Sequence, residues 1–259
     1  MLQYPDIDPV ALTLGPLSVH WYGVMYVLAF LAGWLLGRIR AARPGSVLSP
    51  GDMDDLATWI MIGVILGARI GYVLFYGRSA FFADPAEIFR IWNGGMSFHG
   101  GLAGVITAVF LWCRKRGKKF LPSMDFLAPL APPGLFFGRI GNFINAELWG
   151  KATDAPWGMV FPGAGPLPRH PSQLYEACLE GLLLFAVLWA YSRKKRREGS
   201  VCGMFLMLYA CFRGFAEFFR MPDAHIGYLA GGMLTMGHVL CMPMLLLGLW
   251  LVFRPERQK

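Results

Sequence analysis

Charged residues are scarce in this sequence. They make up 15% of its 259 residues, whereas hydrophobic residues make up 56%, against about 25% charged residues in a typical soluble domain. A soluble globular fold is therefore excluded. Intrinsic disorder is excluded as well, because disordered chains are poor in aromatic residues and this chain contains 20 Phe, 9 Trp and 9 Tyr. The class that remains is a membrane protein with several spans, since about 20 apolar residues suffice for one crossing.

The familiar signatures of metal, disulfide and nucleophile chemistry are also missing. The five cysteines occur singly within or beside apolar stretches, which is typical of small buried hydrophobic residues and not of metal ligands or a disulfide framework. The sequence contains no Gly-x-Ser-x-Gly elbow, no His-Glu-x-x-His motif and no phosphate loop. We therefore expect no metal, no other cofactor and no nucleophile supplied by the protein itself.

Seven stretches approach the length and apolarity of a membrane-spanning helix. We predict an all-α, polytopic membrane protein that forms one integral membrane domain over residues 1–259. The leader before the first stretch lacks the basic start of a cleavable signal peptide, so the first helix is expected to be retained. In chain order the predicted spans are 20–37, 56–76, 96–113, 121–138, 173–191, 201–219 and 235–253.

Basic residues alternate in density from loop to loop. Three, five, five and three Lys and Arg residues follow the first, third, fifth and seventh spans, which accounts for 16 of the 24 in the chain. The positive-inside rule places these loops in the cytoplasm, the N-terminus outside and the C-terminus inside. Orientation thus explains the net charge of +8, and no nucleic-acid partner is expected. The segments around 77–95, 139–172 and 220–234 are predicted to be periplasmic.

The fourth predicted span contains Pro129, Pro132 and Pro133. A regular helix is not expected through this stretch, because each proline removes a backbone donor and clashes with the preceding turn. Broken backbone at membrane depth is tolerated only against protein or a wet cavity. The stretch therefore indicates a site beside its outer end.

The sixth predicted span carries a polar stripe formed by Tyr209, Arg213, Glu217 and Arg220 at helical spacing. Arg213 and Glu217 can pair one turn apart, and one interpretation is a pair that only locks helices together. That interpretation accounts less well for Arg220, a second cation without an obvious second acid. An unbalanced pair of guanidinium groups suits an anionic ligand, because its donors match the geometry of phosphate.

The run from Gly138 to Gly150 follows the proline-rich stretch. It mixes a cation, two amides and a carboxylate among apolar residues and glycines, namely Arg139, Asn142, Asn145 and Glu147. The amides offer both donors and acceptors, and the glycines permit close backbone approach. A re-entrant turn whose amides are satisfied internally is the alternative to a binding site.

His99 lies between two Gly-Gly pairs just after the start of the third predicted span. The glycines are expected to leave its ring accessible, and His is the side chain best placed to move a proton near neutral pH. A structural role is equally compatible with these residues. His170 opens the fifth span and is as compatible with a capping or loop-tying role as with a functional one. Tyr22 can be an interfacial belt residue. Arg69 and Asp125 are treated as packing residues.

A basic cluster, an accessible histidine and amides at headgroup depth together indicate an anionic substrate that resides in the membrane, namely a phospholipid. A lipid flippase or small transporter is the main alternative. Such a protein is expected to show internal repeats and polar groups near the bilayer midplane, which this sequence lacks. A receptor or assembly protein is a third option, disfavoured by the cost of several charges inside the membrane.

Four motifs in this sequence resemble those of one family, the bacterial prolipoprotein diacylglyceryl transferases. The resemblance covers nearly the whole chain, including the seven spans and the outer N-terminus. Ala146, Lys151 and His238 depart from the residues Gly, Arg and Gln that are frequent in the family. The motifs are His99-Gly100-Gly101-Leu102, the run from Gly138 to Gly150, the run from Arg169 to Glu176, and the run from Arg213 to Arg220.

The resemblance implies transfer of the diacylglyceryl group of phosphatidylglycerol to the thiol of the lipobox cysteine in a prelipoprotein signal peptide. A thioether forms and glycerol phosphate is released, in a bacterial cytoplasmic (inner) membrane, with the active site facing the periplasm or exterior. The substrate's own cysteine is the nucleophile, and the remaining partners are membrane lipids.

We expect Arg139 and Arg213 to hold the phosphodiester and stabilise the leaving group, and His99 to accept the thiol proton. Glu217 is expected to orient Arg213, and Arg220 to hold a headgroup. The glycerol hydroxyls and the ester region are assigned to Asn142, Asn145, Glu147 and Tyr22, and Gly150 is assigned to the same binding site.

Overall fold

The computed structural model describes residues 2–77, 84–90, 94–222, 227–229 and 234–255. The chain divides into two compact units. The first comprises Met1–Leu36 and Asp125–Lys259, and the second comprises Gly37–Met124. The predicted outer segments 77–95 and 220–234 fall partly outside the described residues, as do Arg78, His225, Arg257 and Lys259. The assignment of the chain to one membrane domain stays a prediction.

The described chain is mostly helical. In chain order its α-helices are α1 (Trp21–Ala41), α2 (Pro50–Phe75), α3 (Phe98–Arg116), α4 (Phe120–Leu127), α5 (Pro132–Ile144), α6 (Ser172–Tyr191), α7 (Ser200–Glu217) and α8 (Met236–Phe253). Two 3₁₀ turns cover Pro85–Phe89 and Ala128–Leu130, and Ala177–Leu183 forms a π-helical stretch inside α6.

Four short strands also form, which the all-α prediction did not anticipate. β1 (Leu2–Gln3) pairs in parallel with β4 (Met159–Val160), and β2 (Val10–Leu14) forms an antiparallel hairpin with β3 (Leu17–His20). The two-residue loop of the hairpin places Gly15 at φ 58, a conformation that glycine adopts without strain. The leader before α1 is therefore folded.

Helices occupy all seven predicted spans. Among the described residues, five helices are long and apolar enough to cross a membrane, namely α1, α2, α6, α7 and α8. The other two predicted spans, 96–113 and 121–138, correspond to α3 and to the interrupted stretch from α4 to α5. A crossing by these two stretches stays a prediction.

The fourth predicted span is interrupted at its prolines. α4 ends at Leu127, a 3₁₀ turn follows, and α5 begins at Pro132, where the missing N–H of proline costs no helical hydrogen bond. The expected break is therefore present. α5 continues to Ile144, however, so Arg139 and Asn142 lie on a helix and not in the loop that we predicted from residue 139 onward.

Close backbone contacts hold the helices of the first unit together. A Cβ atom on Gly181 of α6 would lie 2.6 Å from the Cβ of Phe136 on α5. On α7 and α8, a Cβ on Gly203 would lie 2.9 Å from the carbonyl oxygen of Gly248. Real Cβ atoms do not approach other atoms this closely, so glycine is needed where these helices cross.

In the second unit, α2 and α3 pack through facing glycines. A Cβ on Gly67 of α2 would lie 2.4 Å from the carbonyl oxygen of Gly100, and one on Gly104 of α3 would lie 2.0 Å from the carbonyl oxygen of Gly63. Small residues spaced four apart allow this approach, as in membrane helix pairs. At the other end of the pair, Asp55 accepts hydrogen bonds from Trp112 Nε1 and from the Arg116 side chain.

Candidate functional site

Three arginines converge on one buried carboxylate of the first unit. Arg139 Nη2 on α5 lies 2.7 Å from Glu176 Oε2 on α6, and Arg213 Nη1 on α7 lies 2.5 Å from the same oxygen. Arg220 Nη1 lies 3.5 Å from it. Arg139 and Arg213, which are 74 positions apart in the chain, are thus brought together, as we expected from the sequence. We call these residues, with Glu180 and Glu217, the arginine–glutamate cluster.

Two further carboxylates complete the cluster. Glu180 lies one turn after Glu176 on α6, 3.8 Å from Arg139 Nη2 and 3.9 Å from Arg213 Nη1. Glu217 pairs with Arg213 on α7, as predicted, and its second oxygen accepts a 2.7 Å hydrogen bond from Thr235 Oγ1. A buried carboxylate is tolerated only when it is paired in this way.

The cluster contains as many carboxylates as guanidinium groups. The expectation that Arg220 lacks a second acid was therefore wrong, because Glu176 supplies it from another helix. The side chains of Glu176 and Glu180 have no exposed surface, whereas those of Arg139, Arg213 and Arg220 keep 18%, 14% and 10% of theirs. The accessible part of the cluster is thus formed mainly by arginine side chains.

A second polar group continues from Arg139 along α5 and past its end. The side chain of Asn142 lies 3.5 Å from Arg139 Nη1 and donates a 2.8 Å hydrogen bond to Glu147 Oε1. Asn145 donates to the same oxygen at 3.4 Å. The two amides and the carboxylate predicted from the Gly138–Gly150 run therefore form one connected group beside the arginines.

Gly150 and Tyr22 pack closely against residues around the Asn142–Asn145–Glu147 group. A Cβ on Gly150 would lie 2.5 Å from the carbonyl oxygen of Phe219 and 2.7 Å from the Cβ of His170, so only glycine fits there. Gly150 also pairs with Arg220 in an isolated β-bridge. The ring of Tyr22 packs on Gly141 of α5, where an added Cβ would lie 2.9 Å from its Cδ2 atom.

The segment between Gly150 and His170 is held in place by hydrogen bonds within itself and to the N-terminal strand β1. The backbone of Arg169 pairs with Met159 and with Ala152. Its guanidinium group donates to the carbonyl oxygens of Ala164 and Gly150. β1 adds a parallel strand at β4, and the hydroxyl of Tyr4 donates to the carbonyl oxygen of Ile144 at 2.7 Å. Burial raises the pKa of Tyr4, which favours this neutral donor.

His170 lies at the end of this segment in a ring cluster. Trp157 Nε1 donates to the hydroxyl of Tyr175, which lies 3.0 Å from His170 Nδ1. The ring of Phe219 packs edge-on against His170 at 5.1 Å. Burial and the nearby ammonium group of Lys151 lower the pKa of His170, which favours the neutral ring. A loop-tying role, one of our two readings of this residue, matches this geometry.

The three departures from the family pattern have different structural settings. Ala146 adopts a left-handed backbone with φ 52, which costs an L-residue about 1–2 kcal/mol and which glycine avoids. The methyl group of Ala146 therefore affects the backbone energy of this turn as well as filling space. The Nζ atom of Lys151 lies 5.3 Å from the ring centroid of Tyr228.

His238 occupies the third helical position after the N-cap Thr235 of α8 and forms a capping box with it. Its Nδ1 atom lies 3.3 Å from the backbone nitrogen of Thr235, which donates to it. Gln and Glu serve this role in other capping boxes. The histidine therefore replaces the frequent glutamine without loss of the cap, beside the hydroxyl that donates to Glu217.

Arg69 and Asp125 hold loops and helix ends in place. Arg69 donates to the carbonyl oxygens of Ile88 and Gly94 in the second unit, at 3.0 and 2.6 Å. Asp125 accepts from the backbone nitrogens of Gly199 and Cys202 at the start of α7, at 2.6 and 2.8 Å. Both contacts match the packing roles that the sequence predicted.

His99 belongs to the second unit. It is the second residue of α3, its side chain is exposed, and it lines a groove of about 550 Å³ beside α2 and α3. The glycines after it serve the crossing with α2, because a Cβ on Gly100 would lie 2.4 Å from the carbonyl oxygen of Gly67. The ring is therefore accessible as expected, but these glycines have a packing role that we did not anticipate.

Sequence reasoning missed Glu176 and Glu180 as members of the site. The signal was present, because two carboxylates one turn apart interrupt a predicted span that is otherwise apolar, and a charge inside a membrane span is functional by default. Glu176 was included in a motif that carries the family resemblance but was given no role, and Glu180 was not considered.

The apolar helices and the buried ionic cluster indicate a membrane protein with a polar site built from several helices. The sequence model described as "Prolipoprotein diacylglyceryl transferase" matches residues 9–254. The chain belongs to this family.

Curated relatives agree over almost the whole length. A phosphatidylglycerol–prolipoprotein diacylglyceryl transferase of Nitratidesulfovibrio vulgaris (strain DP4) is 60% identical over 259 residues, which is 100% of this chain and 98% of the relative. Proteins of the same description from Oleidesulfovibrio alaskensis and Pseudomonas aeruginosa PAO1 are 61% and 56% identical over 252 residues. In both cases 97% of this chain is covered, with 94% and 95% of the relatives.

Proposed function

We propose that this chain transfers the diacylglyceryl group of phosphatidylglycerol to the lipobox cysteine of prelipoproteins. A carbon–sulfur bond forms at the glycerol carbon, the bond from that carbon to the phosphate oxygen breaks, and glycerol phosphate leaves. Family membership supports the reaction. The observation that carries it for this site is the meeting of Arg139 and Arg213 at a single oxygen of Glu176.

The charge arrangement is suited to a phosphodiester. Glu176 and Glu180 have no exposed surface, whereas Arg139 and Arg213 keep part of theirs, so an anion can reach the arginine side chains but not these carboxylates. Each guanidinium group carries five N–H donors in a planar fork, and the carboxylates fix the orientation of that fork. We assign Arg139 and Arg213 to the phosphodiester and to the charge that develops on the departing glycerol phosphate.

The remaining roles follow the positions of the side chains. Glu217 orients Arg213, which it contacts directly, and Arg220 holds a headgroup. The connected group of Asn142, Asn145 and Glu147 offers donors and acceptors for glycerol hydroxyls and the ester region, with Tyr22 nearby on α1. Gly150 shapes the wall of this region through its close backbone contacts.

The proton of the attacking thiol is assigned to His99 on the basis of the sequence. The thiolate is the competent nucleophile, and an accessible imidazole is suited to accept the proton near neutral pH. Since the nucleophile belongs to the substrate, the enzyme needs no reactive cysteine of its own.

The finer topology is also part of this proposal. We place seven spans in a bacterial inner membrane, with the N-terminus outside, the C-terminus in the cytoplasm and the arginine–glutamate cluster facing the periplasm or exterior. The alternation of basic residues between loops supports this orientation. The prelipoprotein signal peptide and the phospholipid would then both reach the site from the membrane.

The experiment is a transfer assay in proteoliposomes with phosphatidylglycerol labelled in its acyl chains and a lipobox peptide. The wild-type chain is expected to attach the label to the peptide cysteine. Arg139→Lys is expected to lower the rate by about 10²-fold, because lysine keeps the charge and loses the fork. Arg193→Lys, in an exposed basic run, is the matched control.

A protein that moved labelled lipid between leaflets and left the peptide unmodified would overturn the proposal and favour the flippase alternative. Equal rates for Arg139→Lys and Arg193→Lys, with the peptide modified, would leave the reaction standing and contradict the assignment of Arg139.

A further inference from the structure

The hairpin of β2 and β3 has one apolar face. The register pairs Leu12 with Val19 and Leu14 with Leu17, and side chains two apart on a strand share a face. These four residues therefore lie on one face. The cross-strand pair between them is Thr13 with Ser18, so both residues of that pair lie on the opposite, polar face.

No described part of the chain covers this apolar face. Leu12, Leu14, Leu17 and Val19 are 53%, 59%, 69% and 38% exposed. The residues of the polar face, Thr13 and Ser18, are exposed as well. An isolated two-stranded hairpin is marginally stable in water, and stability requires that one face pack against something.

The hairpin is joined directly to a helix of membrane-spanning length. β3 ends at His20 and α1 begins at Trp21, whose backbone nitrogen donates a 2.9 Å hydrogen bond to the carbonyl oxygen of Pro9. Both ends of the hairpin are therefore fixed at the start of α1. Trp21 and Tyr22 are of the residue types that mark the headgroup level of a bilayer.

The helix that follows the hairpin also exposes apolar side chains. Tyr26, Val27 and Leu31 of α1 are 58%, 59% and 43% exposed. Only 11% of the most apolar window of this helix is buried inside the protein. β3 spans four residues, or about 13 Å, so no part of the hairpin lies far from the membrane surface.

We infer that the apolar face of the β2–β3 hairpin inserts into the headgroup and upper acyl region of the bilayer next to α1. The occupant of this face is the lipid surface itself. The hairpin thereby anchors the folded leader at the level where the first helix enters the membrane.

The test uses environment-sensitive labels on single added cysteines in proteoliposomes. A parent with Cys178→Ser and Cys211→Ser removes the two exposed native thiols and, labelled in parallel, serves as the blank. Leu14→Cys and Leu17→Cys report on the apolar face, and Thr13→Cys and Ser18→Cys are matched controls on the polar face. Val19→Cys is a second apolar reporter if Leu14→Cys accumulates poorly.

Phospholipids brominated in the upper acyl chain are expected to quench the labels at positions 14 and 17 about threefold more than those at 13 and 18, because only the apolar face enters the lipid. Equal or weaker quenching at 14 and 17 would overturn the inference. So would oxidative cross-linking of Leu14→Cys between two copies, which indicates self-association. Protection of the label at 14 only when lipobox peptide is added would also overturn it and indicate a peptide-binding edge.

Discussion

Arg139 on α5 lies 2.7 Å from Glu176 on α6, a carboxylate with no exposed surface. Arg213 on α7 and Arg220, three residues after the end of α7, contact the same oxygen. One acid thus sets the spacing of three guanidinium groups that the sequence separates widely. All three arginines contact this carboxylate, which makes it the most informative place for a substitution.

Glu176→Gln is expected to abolish most transfer activity. The amide keeps the shape of the side chain and removes the negative charge that the three arginines share. Breaking a buried ion pair in this way costs about 3–5 kcal/mol. Displacement of the arginines is expected to lower the rate by about 10²-fold. Peptide lipidation in proteoliposomes, with thermal stability measured in detergent, checks the prediction.

Glu180→Gln is the graded comparison for this substitution, since Glu180 lies 3.8 Å or more from the same arginines, and its effect on rate is expected to be smaller. Glu198→Gln, in an exposed loop, is the control for loss of a carboxylate. Normal turnover by Glu176→Gln would show that the arginines are positioned by other contacts.

His99→Gln is expected to lose most of its turnover between pH 6 and pH 9, because glutamine cannot accept the thiol proton; general-base catalysis contributes about 10²–10⁴-fold. At higher pH a larger fraction of the peptide thiol is ionised without a base. The residual rate of the variant should therefore rise with pH. The measurement is initial rate against pH. His20→Gln, another exposed histidine, is the control, and near-normal turnover by His99→Gln across this range would rule out the base assignment.

The long elements and four of the six residues of the arginine–glutamate cluster were predictable from the sequence. Apolar runs placed the helices, and the proline-rich stretch predicted the break between α4 and α5, because these are local properties of the chain. The pairing of Arg213 with Glu217 followed from helical spacing. The Gly138–Gly150 run contained Asn142 and Glu147 close enough in sequence for their contact to be expected.

The partners contributed by other helices were not predictable in the same way. Glu176 meets Arg139 and Arg213 only because α5, α6 and α7 pack together, and one sequence does not give that packing. The hairpin of β2 and β3 was missed because the leader is short and was treated only as a question of signal-peptide cleavage. The left-handed backbone at Ala146 was missed because alanine gives no turn signal.

The wild-type chain is expected to lose thermal stability as the pH falls below the ordinary pKa of histidine, about 6.5. The pKa of His170 is lowered in the folded state by burial and by Lys151. The unfolded chain therefore takes up the proton first, so the stabilisation is complete above that pH and is lost as the pH decreases.

The measurement is the melting temperature in detergent between pH 5 and pH 8. His170→Gln keeps an acceptor and does not titrate, so its melting temperature is expected to vary less over this interval than that of the wild type. His20→Gln, at an exposed site, should follow the wild type. If His170→Gln followed the wild type as well, the pH dependence would belong to other groups.

Ala146→Gly is expected to stabilise the protein. Ala146 adopts φ 52 in the turn after α5, a conformation that costs an L-residue about 1–2 kcal/mol and costs glycine little. Glycine loses about 0.5–1 kcal/mol of this gain through its greater freedom in the unfolded chain. A net gain of about 1 kcal/mol corresponds to a melting temperature higher by about 2–4 °C, measurable in detergent. Ala190→Gly in α6 makes the same exchange in a helix and is expected to lower the melting temperature. A decrease in both variants would mean that the turn at Ala146 relaxes to a negative φ in solution.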